Sequence, residues 1–272
     1  NTPLDNIFDR IFYGEAELNP ELKNLRGQVV KHYDTGGVIE TPEYDFKGQP
    51  KSTTRKLFKN YKSVANWIDA NLANDLEAGS FTFITETDAL GRITQQTAPD
   101  GSIITPSYNE ANLLERVEAK LRGAAVATLF VTDIDYDAKG QRTLIDYGNG
   151  VRITYEYDPL TFRLTHLKTL RGAERLQNLF YTYDPAGNIT AIRDDAQQTI
   201  YFNGQVVEPH CDYVYDALYR LINAKGREHI GQLGRPETTW NDEFRVNLQH
   251  PHDGQAMRNY IEQYVYDAVG NF

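Results

Sequence analysis

The stretch Tyr183-Asp-Pro-Ala-Gly-Asn-Ile189 decides the fold that we predict for this 272-residue chain. An aromatic residue ends a strand, and the following Asp offers a carboxylate that accepts N–H groups inside a turn. Gly187, three residues after the Asp, can adopt the left-handed backbone of a hairpin loop, and Pro185 suits the second turn position. The stretch therefore predicts a strand, a tight turn and a second strand.

The same pattern recurs along the chain. Tyr-Asp occurs seven times, and the looser copies Thr87-Asp88 and Tyr108-Asn109 make nine. The flanking residues alternate between apolar and polar, which is typical of β-hairpins. We predict repeat turns at Tyr33, Asp34, Gly37, Tyr44, Asp45, Gly48, Asp88, Gly91, Tyr108, Asn109, Tyr136, Asp137, Gly140, Tyr157, Asp158, Tyr183, Asp184, Gly187, Tyr215, Asp216, Tyr266, Asp267 and Gly270.

The copies differ in their turn residues. We expect positive φ at the turn glycines, and Asn112 can replace the glycine in its copy. Asp158 and Asp216 are followed by Thr161 and Tyr219 instead, so the pattern defines those two turns less sharply. We also expect the aromatic residue of each copy to stack on that of the next hairpin. A hairpin of a second type is predicted at Tyr147-Gly-Asn-Gly-Val151.

The motif resembles the YD repeat of the Rhs/YD-repeat superfamily, Y-D-x-x-G-[RN]-[LIV]. Good matches begin at Thr87, Tyr183 and Tyr215, and the resemblance covers roughly residues 25–272. The spacing and an insertion near residues 224–231 look most like the B component of bacterial insecticidal toxin complexes (Tc toxins). The resemblance implies a hollow β-sheet shell that encloses a toxic polypeptide passenger, with other toxin-complex subunits as partners and a secreted or extracellular location.

Composition excludes several classes of protein. The net charge of −10 argues against nucleic-acid binding, which needs a basic face. No run of 18 apolar residues is present, so we expect no transmembrane segment. The lone Cys211 excludes an internal disulfide framework. The chain begins at Asn1 and stops inside a repeat, so we expect a single YD-repeat region over 1–272 taken from a longer polypeptide.

Three segments depart from the repeat. An apolar stripe through 51–79 predicts a helical insertion, with the helix over about 54–76, whose basic first turns suit a solvated face or an anionic partner. Residues 113–122 fit a helix or a strand, and their place after a turn favours a strand. Residues 222–262 are predicted to form a long loop insertion with little regular structure.

No catalytic motif stands out. His250-Pro-His-Asp253 has metal-like composition, but Pro251 spreads its two imidazoles, and neighbours such as His210 and Cys211 point to opposite faces of a strand. Arg227-Glu228-His229 is a charged triplet without a partner group. Tc toxin C components resemble one another in carrying a self-cleaving aspartyl protease, but Asp184-Pro-Ala-Gly187 lies inside an ordinary repeat. We expect no catalytic, cofactor-binding or metal-binding residue.

Three functional hypotheses follow. The first is a non-catalytic structural segment of a shell around a toxin passenger. The second is an extracellular module whose outward-facing aromatic residues bind glycans or a protein partner. The third is an enzyme built on His250, His252 and Asp253. The first is our prediction, and the second is its alternative.

Overall fold

The computed structural model describes residues 6–68, 72–232, 250 and 252–271, and the chain divides into two compact units, 1–132 and 133–272. The described residues contain nineteen strands and five short 3-10 turns, and they contain no α-helix. Wherever partner residues are resolved, the strands pair antiparallel. The predicted fold class, an antiparallel YD-repeat sheet, is confirmed.

In the first unit, consecutive strands pair along the chain. They are β1 (Arg10–Tyr13), β2 (Val29–Asp34), β3 (Gly37–Glu40), β4 (Ser52–Leu57), β5 (Phe81–Thr87), β6 (Ile93–Thr97), β7 (Ile103–Tyr108), β8 (Leu114–Lys120) and β9 (Thr128–Tyr136), of which β9 continues past residue 132. Single 3-10 turns occupy Gly14–Ala16, Pro20–Lys23, Leu72–Asp75 and Leu121–Gly123. The strand predicted within 113–122 is confirmed as β8.

The second unit repeats this arrangement. Its strands are β10 (Arg142–Tyr147), β11 (Val151–Tyr157), β12 (Leu164–Arg171), β13 (Glu174–Tyr183), β14 (Ile189–Asp194), β15 (Ile200–Phe202), β16 (Gln205–Val207), β17 (His210–Tyr215), β18 (Leu221–His229) and β19 (Met257–Gln263), with a 3-10 turn at Ile230–Gln232. β15 and β16 form a separate small hairpin, while β14 pairs directly with β17. The hairpin predicted at Tyr147–Val151 joins β10 to β11.

The first unit has an aromatic core. Trp67 is fully buried, its ring centroid lies 5.1 Å from that of Tyr33 and 5.4 Å from that of Phe58, and its indole N–H donates to the carbonyl of Asp34 at 3.0 Å. The carboxylate of Asp34 accepts two bonds from the guanidinium of Arg55, at 2.8 and 2.6 Å. The core therefore packs against the first repeat turn, which supplies Tyr33 and Asp34.

The helix predicted over 54–76 is wrong for the described residues. Thr53 and Thr54 lie in β4 opposite Phe83 and Thr82 of β5, because β-branched side chains favour a paired strand. The stretch that follows is irregular, and the segment's only helical turn among the described residues is the 3-10 turn Leu72–Asp75. Trp67 of this segment is buried in the core, and the apolar residues of the segment do not line one side of a helix.

The loop predicted over 222–262 is wrong at both of its ends. Residues 223–229 of β18 pair with residues 257–263 of β19 over seven consecutive positions. Both strands alternate side chains as a two-faced sheet requires, but their Gly, Asn and His content hid the pattern. Residues 233–249 and 251 lie outside the described residues.

Candidate functional site

The repeat turns share one hydrogen-bond pattern, seen clearly in the copy at Asp137. The N–H of Asp137 donates to the carbonyl of Gln141 at 2.9 Å, and the N–H of Gly140 donates back to the Asp137 carbonyl at 3.0 Å. Oδ1 of Asp137 accepts the N–H groups of Lys139 and Gln141 at 2.8 and 2.9 Å. The same set recurs at Asp45, Asp88, Asn109, Asp216 and Asp267.

The left-handed turn position does not always hold glycine. Gly140, Gly187 and Gly270 have φ values of 79°, 110° and 93°, and Asn112 has 64°. Tyr219 takes the same position at 61°, although a tyrosine is strained there. The sequence pattern defines this turn less sharply because it has no glycine, yet the Asp216 carboxylate and its N–H partners hold the loop closed.

Two other copies depart from the pattern. The turn at Asp158 is one residue wider, and its left-handed residue is Phe162, with φ 59°. Asp34 and Gly37 face one another across the β2–β3 hairpin, where Oδ1 of Asp34 accepts the N–H of Gly36 at 2.8 Å. The repeat therefore tolerates changes in loop length while the Asp keeps its role as an acceptor.

The repeat tyrosines reach back to the preceding hairpin through their hydroxyl groups. Tyr108, Tyr157, Tyr183 and Tyr215 donate to backbone carbonyls at 3.0, 2.8, 2.7 and 2.9 Å, and Tyr266 does so at 2.8 Å. The acceptors are Ile93, Arg142, Leu164, Ile189 and Leu221, each the first residue of the strand that follows the preceding turn. At these tyrosines we find a hydroxyl contact with the neighbouring copy, a link that the predicted ring stacking does not include.

In two copies an arginine follows the left-handed turn residue and adds a second link to the next copy. Arg92 donates from Nε to its own Asp88 at 2.6 Å, and its guanidinium lies 4.7 Å from the ring centroid of Tyr108 in the next copy. Arg220 makes the same pair of contacts, with Asp216 and with the ring of Tyr266 at 4.7 Å. In these two copies the Arg is thus a connector, because it joins its own turn to the aromatic residue of the next.

Three of the turn carboxylates are stabilised in their ionised form. The N–H of Arg220 lowers the pKa of Asp216 below its ordinary 3.8, and the N–H of Asn271 does so for Asp267. The Asn188 side chain has the same effect on the pKa of Asp184. Hydrogen bonds to the charged form explain all three shifts.

One face of the second unit's sheet is lined with tyrosines. In β11, Ile153 pairs with Ile145, and Tyr155 pairs with Leu167, so these side chains share a face. Its half-buried tyrosines, which we call the tyrosine face, are Tyr147, Tyr155, Tyr157, Tyr181, Tyr183, Tyr213, Tyr215 and Tyr260. The face is therefore aromatic, with phenol hydroxyls placed among apolar side chains.

The opposite face of the second unit is charged. It carries Arg152 paired with Asp146 at 2.6 Å, and His210 bonded to Asp212 at 2.9 Å. Burial raises the pKa of Tyr155 and Tyr181 on the tyrosine face, and it raises that of Tyr213 to about 12. The phenol groups of the tyrosine face are consequently neutral at neutral pH, while the opposite face presents the charged pairs named above.

The candidate chemical clusters are not assembled into a site among the described residues. His250 packs edge-on against Phe202, and the Asp253 carboxylate accepts the N–H of Gln255 at 3.0 Å. No group of three metal-ligating side chains occurs in the part of the chain that the structure describes. Cys211 is half-buried and lies across from Ile192, and it shares its face with Tyr213.

The charged triplet lies in β18 rather than in a loop. Arg227 donates to the carbonyl of Gln198 at 3.0 Å, and Glu228 pairs with Arg258. His229 meets the carbonyl of Asp253 at 3.1 Å. Within the described ranges, no helix has the length and apolar character needed to cross a membrane.

Comparisons with known proteins agree with this architecture. The chain is 36% identical to toxin subunit YenC2 of Yersinia entomophaga over 94% of its own length, and 33% identical to toxin subunit YenC1 over 98%. It spans 27% of the length of each relative. No family model matches the chain.

The chain is also similar to solved structures of Tc toxins. The crystal structure of TcdB2-TccC3 matches 96% of this chain with 33% identity and a TM-score of 0.77. The Photorhabdus luminescens Tc holotoxin pore matches 98% with 32% identity and a TM-score of 0.78. The chain covers 12% of the matched chain in each case.

The fold and its linked turns define a protein of the YD-repeat sheet class. Within that class, the chain is a Tc toxin-related member of the Rhs/YD-repeat proteins. Both curated relatives carry C-subunit names, whereas the motif spacing favoured the B component. The names of the relatives and the motif spacing both point to the Tc toxins.

Proposed function

We propose that this chain is a structural wall segment of a toxin-complex shell, which contains a polypeptide passenger together with other subunits of a secreted complex. The segment acts by containment and has no catalytic role of its own. The observation that carries the proposal is the tyrosine face, a sheet surface of aromatic and aliphatic side chains that remain half-exposed in the second unit.

The chemistry of the tyrosine face suits an unfolded or partly folded polypeptide. Phenol rings contact apolar side chains of any sequence, and their hydroxyls can bond to peptide groups. Because these phenols stay neutral, the tyrosines themselves neither attract nor repel a particular charge. A passenger of varied sequence would thus be tolerated without a specific recognition motif.

The linked turns support the same role. A wall segment has to keep the register of its strands. The hydroxyl and guanidinium contacts connect neighbouring hairpins and therefore stabilise that register. The proposal also rests on the similarity to toxin subunits over nearly all of this chain. Since the chain spans 27% of those relatives, enclosure is proposed for the full-length polypeptide and its partners.

The test is protease protection of the passenger when it is co-expressed with the full-length protein. We expect protection with the intact protein, and its loss when Tyr155 and Tyr181 are replaced by Glu on the tyrosine face. A matched control replaces Lys168 and Thr182, on the charged face of the neighbouring strands β12 and β13, by Glu. Equal protection by both variants would count against the wall role. Retention of a glycan by the unmodified chain would favour the binding-module alternative.

A further inference from the structure

A lysine on the charged face of the second unit lies opposite an amide rather than a carboxylate. Lys168 of β12 is half-buried, and its direct neighbours on β11 and β13 are Thr154 and Asn178. Other cations of this face pair with acids, as Arg193 does with Asp195 at 2.7 Å. The Lys168 ammonium makes no ion pair or hydrogen bond within the described residues, so its nearest polar neighbour is an amide.

The side-chain amide of Asn178 is held by a histidine. Asn178 is 8% exposed, and its Oδ1 lies 2.8 Å from Nε2 of His166. Because an amide oxygen can only accept, the histidine nitrogen is the donor. The other ring nitrogen of His166 bonds to Oε1 of Glu156 at 3.1 Å, and the ring stacks on Phe180 with 4.3 Å between centroids. The imidazole is therefore fixed with an N–H aimed at the oxygen on which negative charge develops when an amine attacks the amide.

The lysine can reach this amide. Directly opposed residues of an antiparallel pair have Cβ atoms about 4.5–5.5 Å apart, a separation that the flexible stem of a lysine spans. Nδ2 of Asn178 makes no hydrogen bond to the described residues, so nothing there holds it as a leaving group. An amine, an amide carbon and a proton donor on the amide oxygen are thus placed side by side, as an intramolecular transamidation requires.

We propose that Lys168 and Asn178 form an isopeptide bond, which joins β12 to β13 covalently. Nζ of Lys168, as the free amine, attacks Cγ of Asn178, and the new C–N bond replaces the bond from Cγ to Nδ2. The Nδ2 group takes the proton that Nζ loses and leaves as ammonia, so no oxidant or co-reactant is needed. His166 stabilises the charge on Oδ1 during this step. The reaction occurs once in each chain, so it adds no enzymatic turnover.

The bond would fix a part of the sheet that hydrogen bonds alone hold. The lone Cys211 excludes an internal disulfide, whereas an isopeptide bond needs no second cysteine. The register of β12 against β13 shifts between Thr169 and Leu170, next to Lys168, and a covalent link there prevents slippage of the pairing. The passenger control that replaces Lys168 and Thr182 removes the bond and keeps the tyrosine face, so passenger protection and bond formation are separate readouts.

Tryptic digestion of the full-length polypeptide, followed by tandem mass spectrometry, tests the inference. Trypsin does not cleave after a lysine whose amine is acylated, so we expect a branched peptide that joins residues 164–171 to 176–193 and is one ammonia lighter than the two together. Lys168→Arg should abolish this peptide, because a guanidinium stays protonated and does not attack. The matched control Lys31→Arg, at a lysine opposite Glu40, should leave it unchanged. His166→Phe keeps a stacked ring without the donor and should slow its accumulation by about a hundredfold.

Three outcomes would overturn the inference. Cleavage after Lys168 in the unmodified sequence, with recovery of unbranched 176–193, would show that the bond does not form. A loss of ammonia confined to Asn149-Gly150 or Asn203-Gly204 would identify a local succinimide, which involves no lysine. A branched peptide that accumulates equally fast in His166→Phe would remove the histidine from the reaction.

Discussion

The first unit and the second unit differ in how far they bury the apolar side chains of the repeat sheet. In the first, the irregular segment after β4 brings Trp67 and Ala65 onto Tyr33 and Val38, and all four become buried. In the second, the corresponding face stays half-exposed, and its buried apolar residues are scattered. The repeat by itself therefore builds a linked sheet, whereas a core requires an insertion that covers it.

The largest expected effect is on the core of the first unit. Trp67→Ala removes a fully buried ring and its bond to the Asp34 carbonyl, so we expect a loss of about 3–5 kcal/mol in the free energy of unfolding. Hydrogen exchange followed by mass spectrometry in urea would assign the loss to peptides of residues 6–68. The matched change Tyr155→Ala on the tyrosine face should cost clearly less, and equal losses would contradict the contrast between the units.

The next effect concerns the left-handed turn position. Gly187→Val should destabilise the second unit by about 1–3 kcal/mol, because φ is +110° and a Cβ would lie 2.9 Å from the Arg163 guanidinium. Tyr219→Gly at the equivalent position should stabilise by roughly 1 kcal/mol, since it relieves a strained residue. Urea midpoints measure both changes, and shifts of the same sign would argue against the shared turn geometry.

A smaller effect is expected from the links between hairpins. Tyr183→Phe keeps the ring but removes the hydroxyl bond to Leu164, which should cost about 1 kcal/mol. Tyr201→Phe is the control, because its ring is largely exposed. An unchanged midpoint for Tyr183→Phe would show that these hydroxyl bonds do not stabilise the bare sheet.

The smallest effect is the dependence of the second unit on pH. The turn N–H groups and the Asn188 amide hold the pKa values of Asp184, Asp216 and Asp267 below 3.8 in the folded chain. The stability that these carboxylates contribute is complete above the unfolded value and is lost as the pH falls through their folded values. Urea midpoints should therefore drop as the pH falls below about 4, and Asp184→Asn together with Asp216→Asn should flatten that drop. An unchanged slope would contradict the role of these carboxylates.

The sequence predicts the repeat sheet because Asp and Gly at a fixed offset encode a local turn, and alternation encodes the flanking strands. Local patterns do not predict how hairpins meet, so the hydroxyl bond from Tyr183 and the guanidinium contact of Arg92 became visible only in three dimensions. The predicted helix failed for a related reason. Apolar residues spaced by three or four also occur in irregular chain, and it is the pairing of β4 with β5 that decides the conformation.

The links between copies have an evolutionary consequence. Tyr157 donates to the backbone carbonyl of Arg142, and Gln141 donates to that of Phe162, so each of these two hydrogen bonds accepts at a group that every residue carries. A duplicated repeat would find its acceptor in any neighbouring copy, without a compensating substitution. Arrays of this kind can therefore lengthen by tandem duplication, and the size of what they build is set by copy number rather than by new contacts.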